Sequence, residues 1–193
     1  MINYTPPTQH TSLFYNSEEE YLDIIIPYLK AGLENNEFCV WIVPETLKVE
    51  DAQTYLGQSV EDLDAYLKKE QLIIVDHEKF YLKDGIFSGH KTIATIIELE
   101  KKTLEKGFKG MRGTGDGSWV LGDERWFSFL MYEKELNEII ERYKIRVICA
   151  YSIAKLELKN IYNLGVNHQS SLVKQMGNWN RLESSKFIRA DIY

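Results

Sequence analysis

Three glycines at alternate positions lie in residues 113–119, the densest local pattern in the sequence that favours ligand binding. Glycine permits positive φ angles and lets backbone N–H groups come close to a ligand. A dinucleotide-binding fingerprint requires a further glycine where the chain has Ser118. A phosphate loop framed on Gly110 and Gly115 requires lysine at position 116, and the carboxylate of Asp116 repels phosphate instead. The segment therefore indicates a contact with a small molecule, or else a tight ligand-free connection between a strand and a helix.

Two charged side chains close to this segment, and a third farther along the chain, each have two open interpretations. Arg112 and Asp116 lie four residues apart. They pair with each other as a structural clasp, or Arg112 faces a polar group of a ligand. Glu133 follows a tyrosine in an aromatic helical segment, where it is either a solvated charge or a carboxylate directed at Arg112. The sequence leaves these alternatives open.

Catalytic and metal-binding patterns are sparse. The histidines fall in four separate segments, at His10, His77, His90 and His168. A metal site would need His10 and His77 to meet at strand ends with Cys39 or Asp76, and no HxxxH or HExxH spacing supports it. Cys39 and Cys149 lie within apolar runs, where a cysteine usually acts as a small hydrophobic residue. The sequence therefore predicts no catalytic residue, no bound metal and no cofactor, and we do not expect an enzyme.

Short apolar runs alternate with longer amphipathic segments, which predicts alternating strands and helices. The predicted strands cover residues 10–15, 38–43, 72–75, 108–112, 146–151 and an edge strand at 171–174. The capping pattern Ser17-Glu18-Glu19-Glu20 opens the first helix. Five strand–helix alternations indicate right-handed crossovers, and hence a three-layer α/β fold with a mainly parallel sheet and helices on both faces. We expect one domain over residues 1–177 and a flexible tail over residues 178–193.

Ligands of open parallel sheets bind beyond the carboxyl ends of the strands. The predicted strand ends are rich in aromatic side chains with a few polar groups, which suits a small-molecule pocket better than a phosphate site. The residues expected there are Phe14, Tyr15, Trp41, Asp76, Arg112, Thr114, Asp116, Trp119 and Tyr151.

Charge and composition exclude several classes of function. The chain has 193 residues and a formal net charge of −6, which opposes binding to nucleic acid or to an acidic membrane surface. Its apolar runs are far shorter than the roughly 20 residues that a membrane-spanning helix needs. Two isolated cysteines and an N-terminus without a signal-peptide pattern predict a cytoplasmic protein with reduced thiols.

Seven short motifs, in order along residues 10–164, resemble the MEDS domain, the sensory domain named after methanogens, methylotrophs and the dichloromethane-responsive repressor. They are H-x3-F-Y, E-E-E-Y-L-D, C-V-W-I-V-P, F-Y-L-K-D-G-I-F, G-D-G-S-W, Y-E-K-E-L-N and C-A-Y. The resemblance implies a signal-input domain for simple hydrocarbon derivatives, found beside histidine kinases and DNA-binding regulators. It also implies a RecA-like fold without a phosphate loop. Motif position adds His10 and Glu133 to the candidate ligand-binding residues.

These observations lead to one main hypothesis and two alternatives. The main hypothesis is a cytoplasmic sensor that binds a small organic molecule and relays the change to a histidine kinase or transcription regulator. In it Phe14, Tyr15, Trp41, Trp119 and Tyr151 form apolar walls, and Arg112, Thr114 and Asp116 orient a polar group. The alternatives are a protein-interaction module, including a homodimer, without a ligand, and a degenerate RecA-like domain with residual ATP binding.

Overall fold

A computed structural model describes residues 8–184 of the chain. Its strands are β1 His10–Tyr15, β2 Phe38–Val43, β3 Leu72–Asp76, β4 Leu82–Lys83, β5 Ile86–Phe87, β6 Met111–Asp116, β7 Ile145–Ser152, β8 Ser170–Gln175 and β9 Asn178–Glu183. Its α-helices are α1 Glu18–Glu34, α2 Val49–Gly57, α3 Leu63–Lys68, α4 His77–Tyr81, α5 Gly89–Glu105, α6 Trp126–Ile139 and α7 Leu158–Val166. Short 3₁₀ turns at Ser118–Val120, Ile140–Arg142 and Ile153–Lys155 join some of these elements.

Seven strands form one sheet in the order β3-β2-β6-β7-β1-β8-β9. Every neighbouring pair is parallel except β8 and β9, which are antiparallel. β4 and β5 make a separate two-stranded hairpin. The three-layer, mainly parallel α/β fold that the alternating pattern predicts is confirmed.

Two hydrophobic cores lie on opposite faces of this sheet. Helices α1, α2 and α3 pack on one face, which we call the α1 face. Helices α4, α5, α6 and α7 pack on the other, the α6 face. Successive strand residues point to opposite faces, so Leu13 of β1 enters the first core and Phe14 enters the second. Strands buried on both sides explain why runs such as β2 are apolar throughout.

The glycine-rich segment differs from its prediction. The pattern predicts a strand over residues 108–112 and then a turn, but β6 runs to Asp116 in the centre of the sheet. Gly113, Gly115 and Gly117 have no positive φ. Their role is steric: a Cβ on Gly115 would collide with the Tyr81 hydroxyl oxygen. The glycines thus admit side chains of the helical layer close to the sheet.

The first residues of the predicted flexible tail form a strand in the structure. Asn178–Glu183 forms β9 on the edge of the sheet, paired with β8 through a two-residue turn at Met176 and Gly177. Both turn residues have positive φ, 50° and 79°, which is the backbone of a type I′ hairpin. Trp179 packs against the α1-face core, and Lys174 lies 5.6 Å from its ring centroid. The tail prediction is therefore wrong for these residues, and residues 185–193 lie outside the described part.

Candidate functional site

Four side chains with metal-ligating or acid–base chemistry meet on the α6 face. They are His10 at the start of β1, Glu133 on α6, Cys149 in β7 and His168 between α7 and β8. One ligand atom from each lies within 4.8 Å of the others. All four are buried, with exposures between 0% and 5%. We call this group the His–Glu–Cys–His cluster.

The Nε2 atoms of both histidines face the other members of the cluster. His10 Nε2 lies 3.1 Å from Glu133 Oε2 and 3.5 Å from Cys149 Sγ. His168 Nε2 lies 3.4 Å from the same carboxylate oxygen. The two imidazole rings stack with centroids 4.0 Å apart. Both Nε2 atoms therefore lie next to the same oxygen of Glu133.

Neighbouring polar groups hold these side chains in place. His168 Nδ1 lies 2.7 Å from the carbonyl oxygen of Leu164, which accepts a hydrogen bond from it. His10 Nδ1 lies 3.1 Å from Asn137 Oδ1, one turn beyond Glu133 on α6. The Tyr151 hydroxyl donates to Glu133 Oε1 at 2.7 Å. The positions of the ring and carboxylate atoms are thus fixed by partners outside the cluster.

Burial and mutual contact shift the titration of the cluster. Burial alone would raise the pKa of Glu133, but hydrogen bonding to His10, the electrostatic effect of the two imidazole rings and the Tyr151 hydroxyl together lower it. Burial and the neighbouring His10 lower the pKa of His168 to about 3. Burial, followed by the charge of Glu133, raises the pKa of the Cys149 thiol well above its usual value. Glu133 is therefore a buried carboxylate, while His168 and Cys149 are neutral.

A largely enclosed cavity of about 30 Å³ lies beside the cluster, between the sheet and helices α4, α5 and α6. Its walls are mostly apolar, with contributions from Val40, Ile42, Phe80, Ile96, Leu99 and Met111. Gly113 and Gly115 of β6 line it with backbone, and Cys149 belongs to both the cavity wall and the cluster.

The polar groups in the cavity wall come from Tyr81, Tyr132 and Cys149. Burial is the main reason that the pKa of both tyrosines is raised, and the proximity of Tyr81, Cys149 and Glu133 raises that of Tyr132 further. Phe87, Trp119 and Phe129 pack around Tyr81 with ring centroids between 5.7 and 6.4 Å away. An aromatic cluster therefore covers a small, mostly apolar space with a polar side.

Some of the predicted site residues lie in or next to this region. His10 and Glu133 are members of the cluster, and Tyr151 hydrogen-bonds to Glu133. Phe14 packs on Tyr151 with ring centroids 6.0 Å apart. Trp119 belongs to the aromatic cluster and stacks under the Arg125 guanidinium, 5.0 Å from its ring centroid. Thr114 borders the cavity as part of β6, but its side chain shares the α1 face with those of Arg112 and Asp116 and lies next to Tyr21.

Other predicted site residues lie elsewhere. Trp41 is fully buried on the α1 face and donates its indole N–H to Tyr21. Tyr15 is on the same face, where its hydroxyl donates to Asp116 at 2.7 Å. Burial raises the pKa of Asp116 to about 6, although hydrogen bonds from Tyr15 and Ser118 oppose the shift. Asp76 lies at the surface and pairs with Lys79.

Of the open alternatives for Arg112, the pairings with Asp116 and with Glu133 are wrong. Arg112 is the second residue of β6, at the amino end of the strand, and is buried on the α1 face. Its guanidinium pairs with Glu37, donates to the Tyr28 carbonyl at 2.9 Å and lies over the Tyr28 ring. It thus belongs to a structural ion pair on the opposite face of the sheet from the cavity.

Sequence reasoning misses two members of the cluster, Cys149 and His168. Cys149 reads as one apolar residue of a buried strand, and His168 shares no local spacing with another ligand. His10 meets His168 rather than His77, whose ring lies against Trp119. One sequence signal could have brought the two histidines together. His10 lies at the amino end of β1 and His168 just before that of β8, and these two strands are neighbours in the sheet.

Several solved structures share this fold. A KaiC-like protein from the archaeon Pyrococcus horikoshii OT3 is 16% identical, with a TM-score of 0.56 over 91% of this chain and 77% of that one. The flagellar accessory protein FlaH from Methanocaldococcus jannaschii is 12% identical, with a TM-score of 0.56 over 91% and 76%. An uncharacterized Pyrococcus horikoshii protein, solved in complex with an unknown peptide, is 15% identical, with a TM-score of 0.63 over 90% and 82%. The fold is therefore RecA-like, of the KaiC and FlaH type.

The family follows from the sequence profile. The profile of MEDS, the MEthanogen/methylotroph, DcmR Sensory domain, matches residues 9–169. The chain belongs to the MEDS family of sensory domains. A comparison with curated proteins finds no match. Across residues 8–184, none of the helices combines the length and apolar character that crossing a membrane requires.

Proposed function

We propose that this protein is a sensor that binds a small, weakly polar organic molecule in the cavity under α4, α5 and α6. The observation that carries the proposal is the enclosed apolar cavity on the α6 face of the sheet, with its polar groups on one side. Membership of a sensory-domain family supports the same role. The binding site thus lies on the face of the sheet, not at the strand ends where the sequence pattern places it.

The size of the cavity sets the class of ligand. A volume of about 30 Å³ accommodates roughly one water-sized group without rearrangement. A molecule with a few heavy atoms, such as a short alcohol, amine or halocarbon, enters only if the wall expands. Phe80 and Tyr81 are the natural moving part, because they separate the cavity from a shallow surface depression next to Ile86 and Lys91. Apolar walls with two hydroxyls and a thiol match a ligand that carries a single polar group.

The loop between β1 and α1 disfavours the nucleotide-binding alternative. Asn16 and Ser17 form the whole connection, and Glu18, Glu19 and Glu20 occupy the first turn of α1. A helix N-terminus binds phosphate when glycine backbone and a lysine surround it, and three carboxylates there repel an anion. Residual ATP binding or hydrolysis is therefore not part of the proposed function.

Helix α6 is the element that would relay ligand binding. Its inner face places Tyr132 in the cavity wall and Glu133 in the cluster. Its outer face exposes Phe127 by 70% and Met131 by 46%, one turn apart. A ligand shifts such an element only by its different affinity for two positions. We expect a partner signalling protein of the cytoplasm, such as a histidine kinase or a transcription regulator, to read the outer face of α6.

A thermal-shift screen of the purified protein tests the proposal. The panel contains short alcohols, amines, halocarbons and carboxylates, together with ATP and ADP in the presence of Mg²⁺. Binding to the native state raises the melting temperature. We expect a small organic compound to stabilise the wild type, and the Tyr132→Phe variant to lose most of this shift.

Tyr15→Phe is the matched control, because it removes a buried hydroxyl on the opposite face of the sheet. It should respond to the ligand as the wild type does. Equal responses of Tyr132→Phe and Tyr15→Phe would place the ligand elsewhere. A response to nucleotide alone would overturn the proposal, and a screen without any response would favour a ligand-free interaction module.

A further inference from the structure

We propose that the His–Glu–Cys–His cluster is a metal site that binds one Zn²⁺ ion through His10, Glu133, Cys149 and His168. The sequence predicts no metal site because no two of these ligands share a metal-binding spacing. The fold brings them together from β1, α6, β7 and the segment before β8. The proposal stands on their geometry and does not depend on the proposed ligand cavity.

The distances between the ligand atoms match the edges of a zinc tetrahedron. Zinc bonds of about 2.3 Å to sulfur and about 2.0–2.1 Å to nitrogen and oxygen give edges of about 3.6 Å for sulfur–nitrogen and about 3.3 Å for nitrogen–oxygen. The corresponding distances are 3.5 Å for Cys149 Sγ to His10 Nε2, and 3.1 and 3.4 Å for Glu133 Oε2 to the two histidine Nε2 atoms. The longest edge is at most 4.8 Å, and the two stacked imidazole rings have to turn so that both lone pairs meet at the ion.

His168 supplies independent evidence for a ligand at this point. Its Nδ1 donates to the Leu164 carbonyl, which has no proton to give, so Nε2 is the ring nitrogen that remains for a ligand. That Nε2 atom is fully buried and has no hydrogen-bond partner in residues 8–184. It lies 3.4 Å from a carboxylate oxygen of Glu133. A cation between the two atoms would bind both of them.

The surroundings of the cluster have the second layer of contacts that metal ligands require. Ligating histidines usually donate their other N–H to a carbonyl or carboxylate oxygen, which fixes the ring. His168 does so to Leu164, and His10 has Asn137 Oδ1 in the matching position. Tyr151 donates to the second oxygen of Glu133, so Oε2 is the oxygen left to bind the metal.

The same geometry excludes a nucleophilic relay of cysteine, histidine and acid. Such a relay uses the two nitrogens of one histidine, one towards the nucleophile and one towards the acid. Here Cys149 and Glu133 both contact Nε2 of His10, and Nδ1 is occupied by Asn137. The arrangement converges on one point, as metal ligands do.

The charges and donor types select zinc. Two neutral imidazoles, one carboxylate and one thiolate carry a charge of −2, which Zn²⁺ neutralises in this buried place. The thiol proton of Cys149 leaves to solvent when the sulfur–zinc bond forms. Mixed sulfur, nitrogen and oxygen donors in a tetrahedron favour Zn²⁺ over Mg²⁺ or Ca²⁺, which prefer oxygen ligands. With four protein ligands the site is closed, so the metal links both sheet strands to α6 and to the end of α7.

Cobalt and zinc titrations of the chelator-treated, full-length protein test the proposal. We expect one Co²⁺ per chain, with intense visible bands of a tetrahedral site and a near-ultraviolet thiolate-to-cobalt band. Zinc should displace the cobalt and raise the melting temperature. Weak octahedral bands, or the absence of stoichiometric binding by the wild type, would overturn the proposal whether or not any variant folds.

Three variants, each checked by circular dichroism, locate the metal. Cys149→Ser should abolish the thiolate-to-cobalt band, while Cys39→Ser should retain it, because Cys39 is a buried thiol on the α1 face. Asn137→Ala should weaken zinc binding about 10–100-fold and keep the band, since Asn137 only orients His10. A thiolate band that survives in Cys149→Ser and disappears in Cys39→Ser would place the metal elsewhere.

Discussion

Asp116 is a fully buried carboxylate at the end of β6, and we expect its replacement by asparagine to stabilise the protein at neutral pH but not in acid. Tyr15 donates to its Oδ2 and the backbone N–H of Ser118 donates to its Oδ1. Burial nevertheless raises its pKa from 3.8 to about 6. Asparagine keeps an acceptor for Ser118 and carries no charge, so it mimics the protonated form.

The magnitude follows from the shift in pKa. A rise from 3.8 to about 6 corresponds to about 3 kcal/mol between the two protonation states. Below pH 3.8 the carboxyl is protonated in both states and costs nothing. Between the two pKa values the folded state holds the extra proton, so stability falls as pH rises through about 6. About 1 kcal/mol is lost by pH 4.5 and about 3 kcal/mol by pH 8, so the advantage of Asp116→Asn should grow by about 2 kcal/mol over that range.

Urea unfolding of the wild type and the variant, followed by tryptophan fluorescence at several pH values, measures this difference directly. The free energy of unfolding should diverge between them as pH rises from 4.5 to 8. Asp76→Asn is the control, because hydrogen bonding to Lys79 lowers the pKa of this exposed carboxylate. The difference in free energy of unfolding between Asp76→Asn and the wild type should not shift in favour of the variant as pH rises. Parallel stability curves for Asp116→Asn and the wild type would refute the assignment of a raised pKa to Asp116.

Three further substitutions test other parts of the structure. Gly113→Ala places a methyl group in the cavity, 3.2 Å from a Val147 methyl carbon, and should abolish ligand-induced thermal shifts. Filling the cavity of about 30 Å³, at about 24 cal/mol per Å³, should raise the free energy of unfolding by about 0.7 kcal/mol. This gain offsets the cost of the close contact with Val147. Arg112→Ala removes the guanidinium that binds Oε2 of the buried Glu37, leaving only the contacts of Arg146 and Asn35 to Oε1, and should cost about 3–5 kcal/mol in urea unfolding. Ser17→Ala removes the side chain that accepts from the Glu20 N–H at 3.2 Å, and should cost about 1 kcal/mol in thermal unfolding.

Each of these expectations has an outcome that contradicts it. Ligand binding that is unchanged in Gly113→Ala would remove the cavity from the binding site. A loss below about 1 kcal/mol in Arg112→Ala would mean that Glu37 becomes solvated, or that Arg146, which already lies 3.4 Å from its Oε1, compensates for the missing guanidinium. An unchanged melting temperature in Ser17→Ala would mean that water replaces the cap.

Local patterns in the sequence determine much of the fold. The strands His10–Tyr15 and Phe38–Val43 are predicted with their observed bounds, and the Ser17 cap forms as its spacing predicts. These features depend on the alternation of apolar residues and on hydrogen bonds between residues a few positions apart. Because strands separated by amphipathic helices pair in parallel, the three-layer architecture also follows from the pattern.

Contacts between side chains of different elements depend on strand register and packing, which local patterns do not show. Glycines at residues 113–117 indicate a turn when only local conformation is considered. In the structure Gly115 is a strand residue that leaves room for Tyr81 of α4. Likewise, the direction of Arg112 depends on its position in β6, because a shift of one residue along a strand exchanges the two faces of the sheet. The residue types of the segment do not determine this register.

The sequence by itself determined the class of fold, the bounds of several elements and, through its motifs, the sensory family to which the chain belongs. Only the tertiary structure decided that His10, Glu133, Cys149 and His168 share one buried point, and that the cavity lies beneath α5 and α6. The physical reason is distance along the chain. Hydrophobic periodicity acts within one element, whereas His10 contacts Glu133 and Cys149, both more than 100 positions away, because of the order in which the strands pair.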